Sequence, residues 1–229
     1  MKKAITLSAA TLALLVAGAS SVSADSVKTS MGSIGFTANT TPPNITNPEV
    51  HGVTGQGGTS GELAIDYASD LAFGKHEISS KTETYFANAD TTAFKGKSVG
   101  AFVEMHDLRG LGSGTKNGTQ LTVKQLKQFN NGSSDLKGAA LSFTLGKAAN
   151  AGGGTYIPTA IESFTLKPGE AQPVMSTDGT VGQFLTSYGQ AAQYTGNTAG
   201  GPISLNVPSG AALVGDFTAT LEWNLAVAP

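Results

Sequence analysis

The 229-residue chain contains no cysteine. Disulfides, thiolate metal sites and cysteine nucleophiles are thereby excluded. Charge is thin as well. Charged side chains make up 13% of the chain, and Arg109 is the single arginine. An acidic chain with one arginine lacks the basic footprint that nucleic acid requires. Long apolar runs are scarce too. The one that stands out is Ala4 to Ala19, interrupted by Thr6, Ser8, Thr11 and Gly18. It falls short of the ~20 residues that span a bilayer. Lys2 and Lys3 precede it and Val22-Ser23-Ala24 follow it, so residues 1–24 read as a secretory signal peptide. No cysteine sits near that cleavage site, which excludes a lipid anchor, and no membrane insertion is expected after cleavage. Removing Lys2 and Lys3 from the 14 basic residues leaves 12 against 16 acidic ones, a net charge of −4. A mature chain of about 200 residues can bury a sizeable core without disulfides.

Helical periodicity is missing, and only Leu121–Phe129 reads as either a strand or one helical turn. Thr, Ser and Asn are plentiful beside 30 glycines, a composition of short strands and many turns. The clearest strand lies in Phe217 to Pro229. Phe217, Ala219, Leu221, Trp223, Leu225 and Val227 fall on every second position, with Thr218, Thr220, Glu222 and Asn224 between them. Successive strand side chains point to opposite faces, so one face of this strand is apolar. Further strands are expected around Ile34, Phe36 and Ala38, and at Leu63–Ala68, Ser98–Asp107, Ala139–Leu145, Ala160–Leu166, Gln183–Leu185 and Ile203–Val207. Asn39 to Gly61 holds Pro42, Pro43 and Pro48 followed by five glycines, and reads as a linker. The expectation is an all-β fold, an antiparallel β-sandwich or barrel-like architecture of many short strands. Its organisation would be residues 25–60 as an N-terminal strand and linker, then one domain over 61–229.

Two blocks carry a family resemblance. The C-terminal strand contains Thr218, Thr220, Leu221, Trp223, Leu225 and Pro229, and the domain opens with Gly61, Leu63, Ile65, Asp66, Leu71, Phe73 and Gly74. Thr165-Leu166-Lys167-Pro168-Gly169 and Leu205-Asn206-Val207-Pro208 add to it. In these the chain resembles the WxL domain, a cell-wall-binding module of Gram-positive surface proteins, over roughly 61–229. Asp107-Leu108-Arg109-Gly110-Leu111-Gly112-Ser113-Gly114 is similar to the family block that precedes a first W-x-L. Here the chain departs: after Thr115–Gly118, Thr119 stands where that tryptophan is expected, two positions before Leu121. The resemblance implies non-covalent attachment to the cell wall through peptidoglycan. It also implies other WxL proteins and membrane-anchored surface proteins as partners.

The candidate residues each admit a plainer role. Trp223 could stack on a sugar, but its apolar neighbours, Leu225 among them, favour core packing. Arg109 could clamp a carboxylate or phosphate, but an internal ion pair with Asp107 or another carboxylate, fixing the glycine-rich loop, is the preferred reading. Glu104 and His106 could ligate a metal, yet no further ligands stand at a recognisable spacing, and solvated side chains are the preferred reading. Lys116, Lys124, Lys127, Lys137 and Lys147 share one stretch with a single acidic residue, Asp135. They read as scattered solvated lysines or, if gathered, as a patch for anionic wall polymer through Lys124 and Lys127. No serine stands out as a nucleophile and no carboxylate pair is marked. The expectation is a secreted, non-enzymatic wall-binding protein without cofactor. The alternative is a structural interaction protein that docks on partner surface proteins and touches glycan weakly. The sequence shows no L-P-x-T-G-type sorting signal, consistent with non-covalent attachment. Mass spectrometry of secreted protein is expected to find the N-terminus at Asp25, and residues 1–24 intact would refute the signal peptide.

Overall fold

In a computed structural model, residues 27–228 are described. The signal peptide, the Asp25 terminus and Pro229 lie outside the described residues. Residues 27–36 form no strand, and Val27, Met31, Ile34 and Phe36 are exposed. The strand expected through Ile34, Phe36 and Ala38 is therefore absent: alternation alone makes no strand without a neighbour to pair its backbone groups.

From Thr37 onward the chain builds three four-stranded antiparallel sheets and two two-stranded hairpins. The first hairpin joins β1 (Asn44–Thr46) to β2 (Thr54–Gly57). The second joins β5 (Asp90–Phe94) to β6 (Lys97–Val99). The first sheet runs β10 (Gly146–Asn150), β14 (Gly182–Tyr188), β7 (Phe102–Asp107), β3 (Leu63–Ala68). The second runs β11 (Thr159–Ala160), β13 (Ala171–Thr177), β8 (Thr119–Gln125), β16 (Leu221–Val227). The third runs β12 (Phe164–Leu166), β9 (Ala140–Phe143), β15 (Ile203–Val207), β4 (Glu83–Phe86). Among the described residues there is no α-helix, only short 3₁₀ turns at Thr115–Asn117 and Ala191–Gln193. The all-β, sandwich-like architecture is as the sequence implies, and Leu121–Phe129 contributes a strand, not a helical turn.

The main core gathers the inward residues of all three sheets. Val103 and Met105 of β7 meet Leu121 and Val123 of β8, and Leu141 and Phe143 of β9. Pro173 in β13 marks a break in register before Met175, where a missing ladder donor is tolerated. The strand expected at Ser98–Asp107 is broken at Gly100, where the chain leaves β6 for β7. A Cβ on Gly100 would lie 2.5 Å from the Gly189 carbonyl oxygen, so only glycine fits there.

All six residues of β7 are buried, so this strand is covered on both faces. The second cover comes from the supposed linker. Ile45 is fully buried with Phe94, Val99 and Phe102 in a separate apolar cluster, with Val53 and Tyr67 packed against it. Asn47 turns the β1–β2 hairpin by accepting the N–H groups of Glu49 and Val50 at 2.8 and 2.9 Å. The Glu49 carboxylate accepts from Gly100 N at 2.6 Å and Ala191 N at 2.8 Å. Residues 39–61 are thus part of the packed unit. Composition that cannot make its own core can still supply one apolar anchor to a core made elsewhere.

Beneath this cover lie Glu104 and His106, both wholly buried rather than solvated. Thr46 N–H donates to both Glu104 oxygens, at 3.2 and 2.9 Å, and Gln183 Nε2 donates to one of them. His106 Nδ1 is 2.9 Å from each Asp66 oxygen and Nε2 is 2.8 Å from the Gly61 carbonyl. Acceptors face both ring nitrogens, which suits the doubly protonated ring. A Cβ on Gly58 would overlap the Asp66 carboxylate, so this glycine lets the strap lie directly on the network.

Burial pushes Glu104 from 4.5 up to about 8, and the nearby Asp66 carboxylate adds to the rise despite the Thr46 hydrogen bond. Burial alone would lower His106, but its hydrogen bonds to Asp66 and Gly61 outweigh that and raise it. Both groups have folded-state pKa values above their unfolded ones. Their stabilisation is complete below the unfolded values and lost as pH rises through the folded ones. Asp90 acts oppositely. Burial would raise it, but hydrogen bonds from Ser69, Tyr67 and Thr92 hold it below its ordinary value, so its contribution fades in acid. Thermal unfolding should therefore show a mildly acidic optimum, with the melting temperature falling between about pH 5 and about pH 9. Glu104→Gln should flatten much of that fall, and an unchanged slope would show that Glu104 does not titrate in this range.

Candidate functional site

The two blocks that carry the family resemblance meet in space. After β3 the chain leaves its sheet and runs through Leu71, Phe73 and Gly74 to Ile78. The stretch from Leu213 to Ala219, which leads into β16, faces it across a cleft of about 700 Å³. Tyr85, Phe129, Leu205 and Val207 also line this cleft. A second hollow of about 480 Å³ shares Leu71, Phe73, Phe129 and Ala219 with it and extends to Asp70 and Trp223. Phe73 and Phe129 meet edge to face, centroids 6.4 Å apart. Gly74 has φ +83° and packs against Asn197, which would be 2.7 Å from a Cβ there. The wall loop thus turns where only glycine is comfortable.

Trp223 is half-buried. It packs against the main core together with Leu221 and Leu225, and it also lines the smaller hollow. On β8 it stands opposite Val123, and Leu225 stands opposite Leu121. The degenerate first motif and the intact second one are therefore adjacent strands. Thr119 is buried, and its hydroxyl lies 2.8 Å from that of Thr177 on β13. The small residue closes a hydroxyl pair between strands at this end of the sheet.

The other predicted site residues lie apart from the cleft lining. Arg109 Nε and Nη2 donate to the two Asp107 oxygens at 2.9 and 2.6 Å, and Nη2 also donates to Asn117 O at 2.7 Å. Hydrogen bonding to Asp107 raises its pKa, and its side chain is 12% exposed, so the guanidinium closes its own glycine-rich loop. Lys124 is paired with Glu222, its cross-strand neighbour, at 2.8 Å. Lys127 is exposed in the loop after β8. Lys116 lies in a 3₁₀ turn, Lys137 in a loop and Lys147 on edge strand β10, so the five lysines are dispersed over separate elements. Glu104 and His106 belong to the buried network, and among the described residues no three His, Asp or Glu side chains are grouped as a metal site.

Sequence reasoning missed the charged residues of the cleft. Lys75, Glu77 and Asp216 line it, two carboxylates against one ammonium, and Asp70 lines the adjoining smaller hollow. Lys75 Nζ reaches across to Asp216 at 3.7 Å, both side chains being more than 80% exposed. His76 stacks on Tyr85, centroids 4.1 Å apart, with Nε2 2.7 Å from the Phe73 carbonyl. Their signal was position: they flank the two recognised blocks, inside or next to them in sequence. A serine spacing was also passed over, Gly96-Lys97-Ser98-Val99-Gly100. Ser98 is exposed in hairpin strand β6 with no helix after it, so it lacks the setting of a nucleophile elbow.

The arrangement can bury apolar groups of an extended ligand along an aromatic floor while its rim reads charge. A family model described as WxL domain surface cell wall-binding matches residues 23–229. No curated protein and no solved structure matches the chain. A model that covers nearly the whole sequence places the chain: it belongs to the WxL domain surface cell wall-binding family.

Proposed function

We propose that this protein is a secreted, non-catalytic surface protein that binds peptidoglycan non-covalently, and that the cleft between Leu71–Ile78 and Leu213–Ala219 is its wall contact. The observation that supports this most is convergence. Two blocks from opposite ends of the domain, joined by no direct strand pairing, line the same hollow. Packing alone would account for Leu71, Phe73 and Trp223 in a closed core, but they border open space. The size of the cleft is in the range of ordinary ligand sites. In this reading the wall-binding unit is 37–229, and signal-peptide cleavage delivers it to the surface.

A second reading is favoured by a different observation. Residues 27–36 expose Val27, Met31, Ile34 and Phe36, and apolar side chains in a segment without strand pairing suit docking on a partner's sheet edge. Other WxL proteins and membrane-anchored surface proteins are the partners this would serve. Deleting 27–36 would abolish that docking and leave wall binding intact.

Three results are expected. Concentrated chaotrope should release the protein from intact walls, and retention until a muralytic enzyme is added would contradict non-covalent attachment. Exposed cleft residues test the contact itself: Ile78→Asp and Leu213→Asp should abolish pull-down on purified peptidoglycan at an unchanged melting temperature. Trp223→Ala should lower stability by about 2–3 kcal/mol, less than the ~3–5 of a fully buried tryptophan, and Trp223→Phe should restore most of it. Thermal unfolding beside the pull-down separates the two roles of the ring.

A further inference from the structure

We propose that the cleft takes the peptide arms of the wall polymer, and within them an apolar-stemmed primary ammonium, in preference to its sugars or to phosphate-bearing polymer. This rests on the wall-binding reading above and names the part of the polymer that is read.

The floor argues first. Phe73, Phe129, Leu205, Val207 and Phe217 present carbon to the cleft. A sugar brings hydroxyls that would lose water there without partners, whereas methyl and methylene groups gain by burial. Peptidoglycan arms offer both, as alanine methyls and as the carbon stem of a diamino acid.

The rim argues second. Glu77 and Asp216 outnumber Lys75, leaving one formal negative charge in excess, and Asp70 adds another in the adjoining hollow. Anionic polymer is repelled by that sign, and an ammonium is attracted. The chain already shows the complementary pair in place: the Lys75 ammonium stands 3.7 Å from Asp216 across the cleft. A pair so exposed is weak and exchangeable, so an incoming amine can take its position at Asp216. The aromatic rings below add attraction for the same cation. The lysines that would have suited anionic polymer are dispersed, and Lys124 is held by Glu222.

The test uses the full secreted protein and walls stripped of anionic polymer. Three preparations are compared: native sacculi, sacculi whose free amines are acetylated, and glycan strands freed of peptide by amidase. Acetylation should weaken binding about tenfold, and the bare glycan should not bind. Glu77→Gln and Asp216→Asn should each weaken binding to native sacculi about three- to fivefold at low salt, with unchanged melting temperatures. The difference should vanish near 1 M salt, where the Debye length is about 3 Å. Equal binding to native and acetylated sacculi, or undiminished binding to bare glycan, would overturn the amine assignment and leave wall binding standing. No binding to native sacculi would overturn the wall-binding reading and this inference with it.

Discussion

The strand Phe102–Asp107 is buried on both faces, and most of what is distinctive in this fold follows from that. One face carries Val103 and Met105 into the main core. The other places Glu104 and His106 where water cannot reach them. Buried charge is tolerated only when it is paired and hydrogen-bonded. Asp66 from the neighbouring strand answers His106, and backbone groups of the 39–61 strap answer both. The strap is therefore bound by polar chemistry as much as by Ile45. This arrangement ties three elements to one buried network: the strap, the start of the domain block and the central strand. Because Glu104 and His106 both favour protonation, the strap is held best below neutral pH.

The cleft is the other consequence of how the sheets are joined. Strand β3 pairs with β7 only up to Ala68, and the chain then runs outward along Leu71 and Phe73. Strand β16 pairs with β8 from Leu221, and the chain before it arrives from the opposite wall. The two departures leave a gap floored by the core itself. Leu71, Phe73 and Trp223 serve as core and as lining at once. Lys75, Glu77 and Asp216 line this gap as exposed side chains that can vary without disturbing the sheets.

Much of the architecture was legible in residue order. The all-β class, the alternation of Leu221, Trp223 and Leu225, and the strands at Leu63–Ala68 and Ile203–Val207 follow from a period of two. For Arg109 the sequence favours an ion pair with Asp107 or another carboxylate, and the structure selects Asp107. The strands β4, β5, β10 and β13 escaped notice because their residues are short, polar or interrupted by proline, and their pairing comes from neighbours.

What the sequence determined by itself was local: which faces are apolar, where turns fall, and which blocks resemble a wall-binding family. Tertiary structure alone decided what covers each face. Alternation placed Glu104 and His106 on the face opposite Met105, and that face would meet solvent in a two-layer protein. A third layer, drawn from a proline- and glycine-rich stretch, buries it instead. In the same way Glu77 and Asp216 lie far apart in the chain, and only the closing of the sheets brings them to one cleft. Periodicity carries information over a few residues, whereas burial and charge depend on segments that arrive from anywhere in the chain.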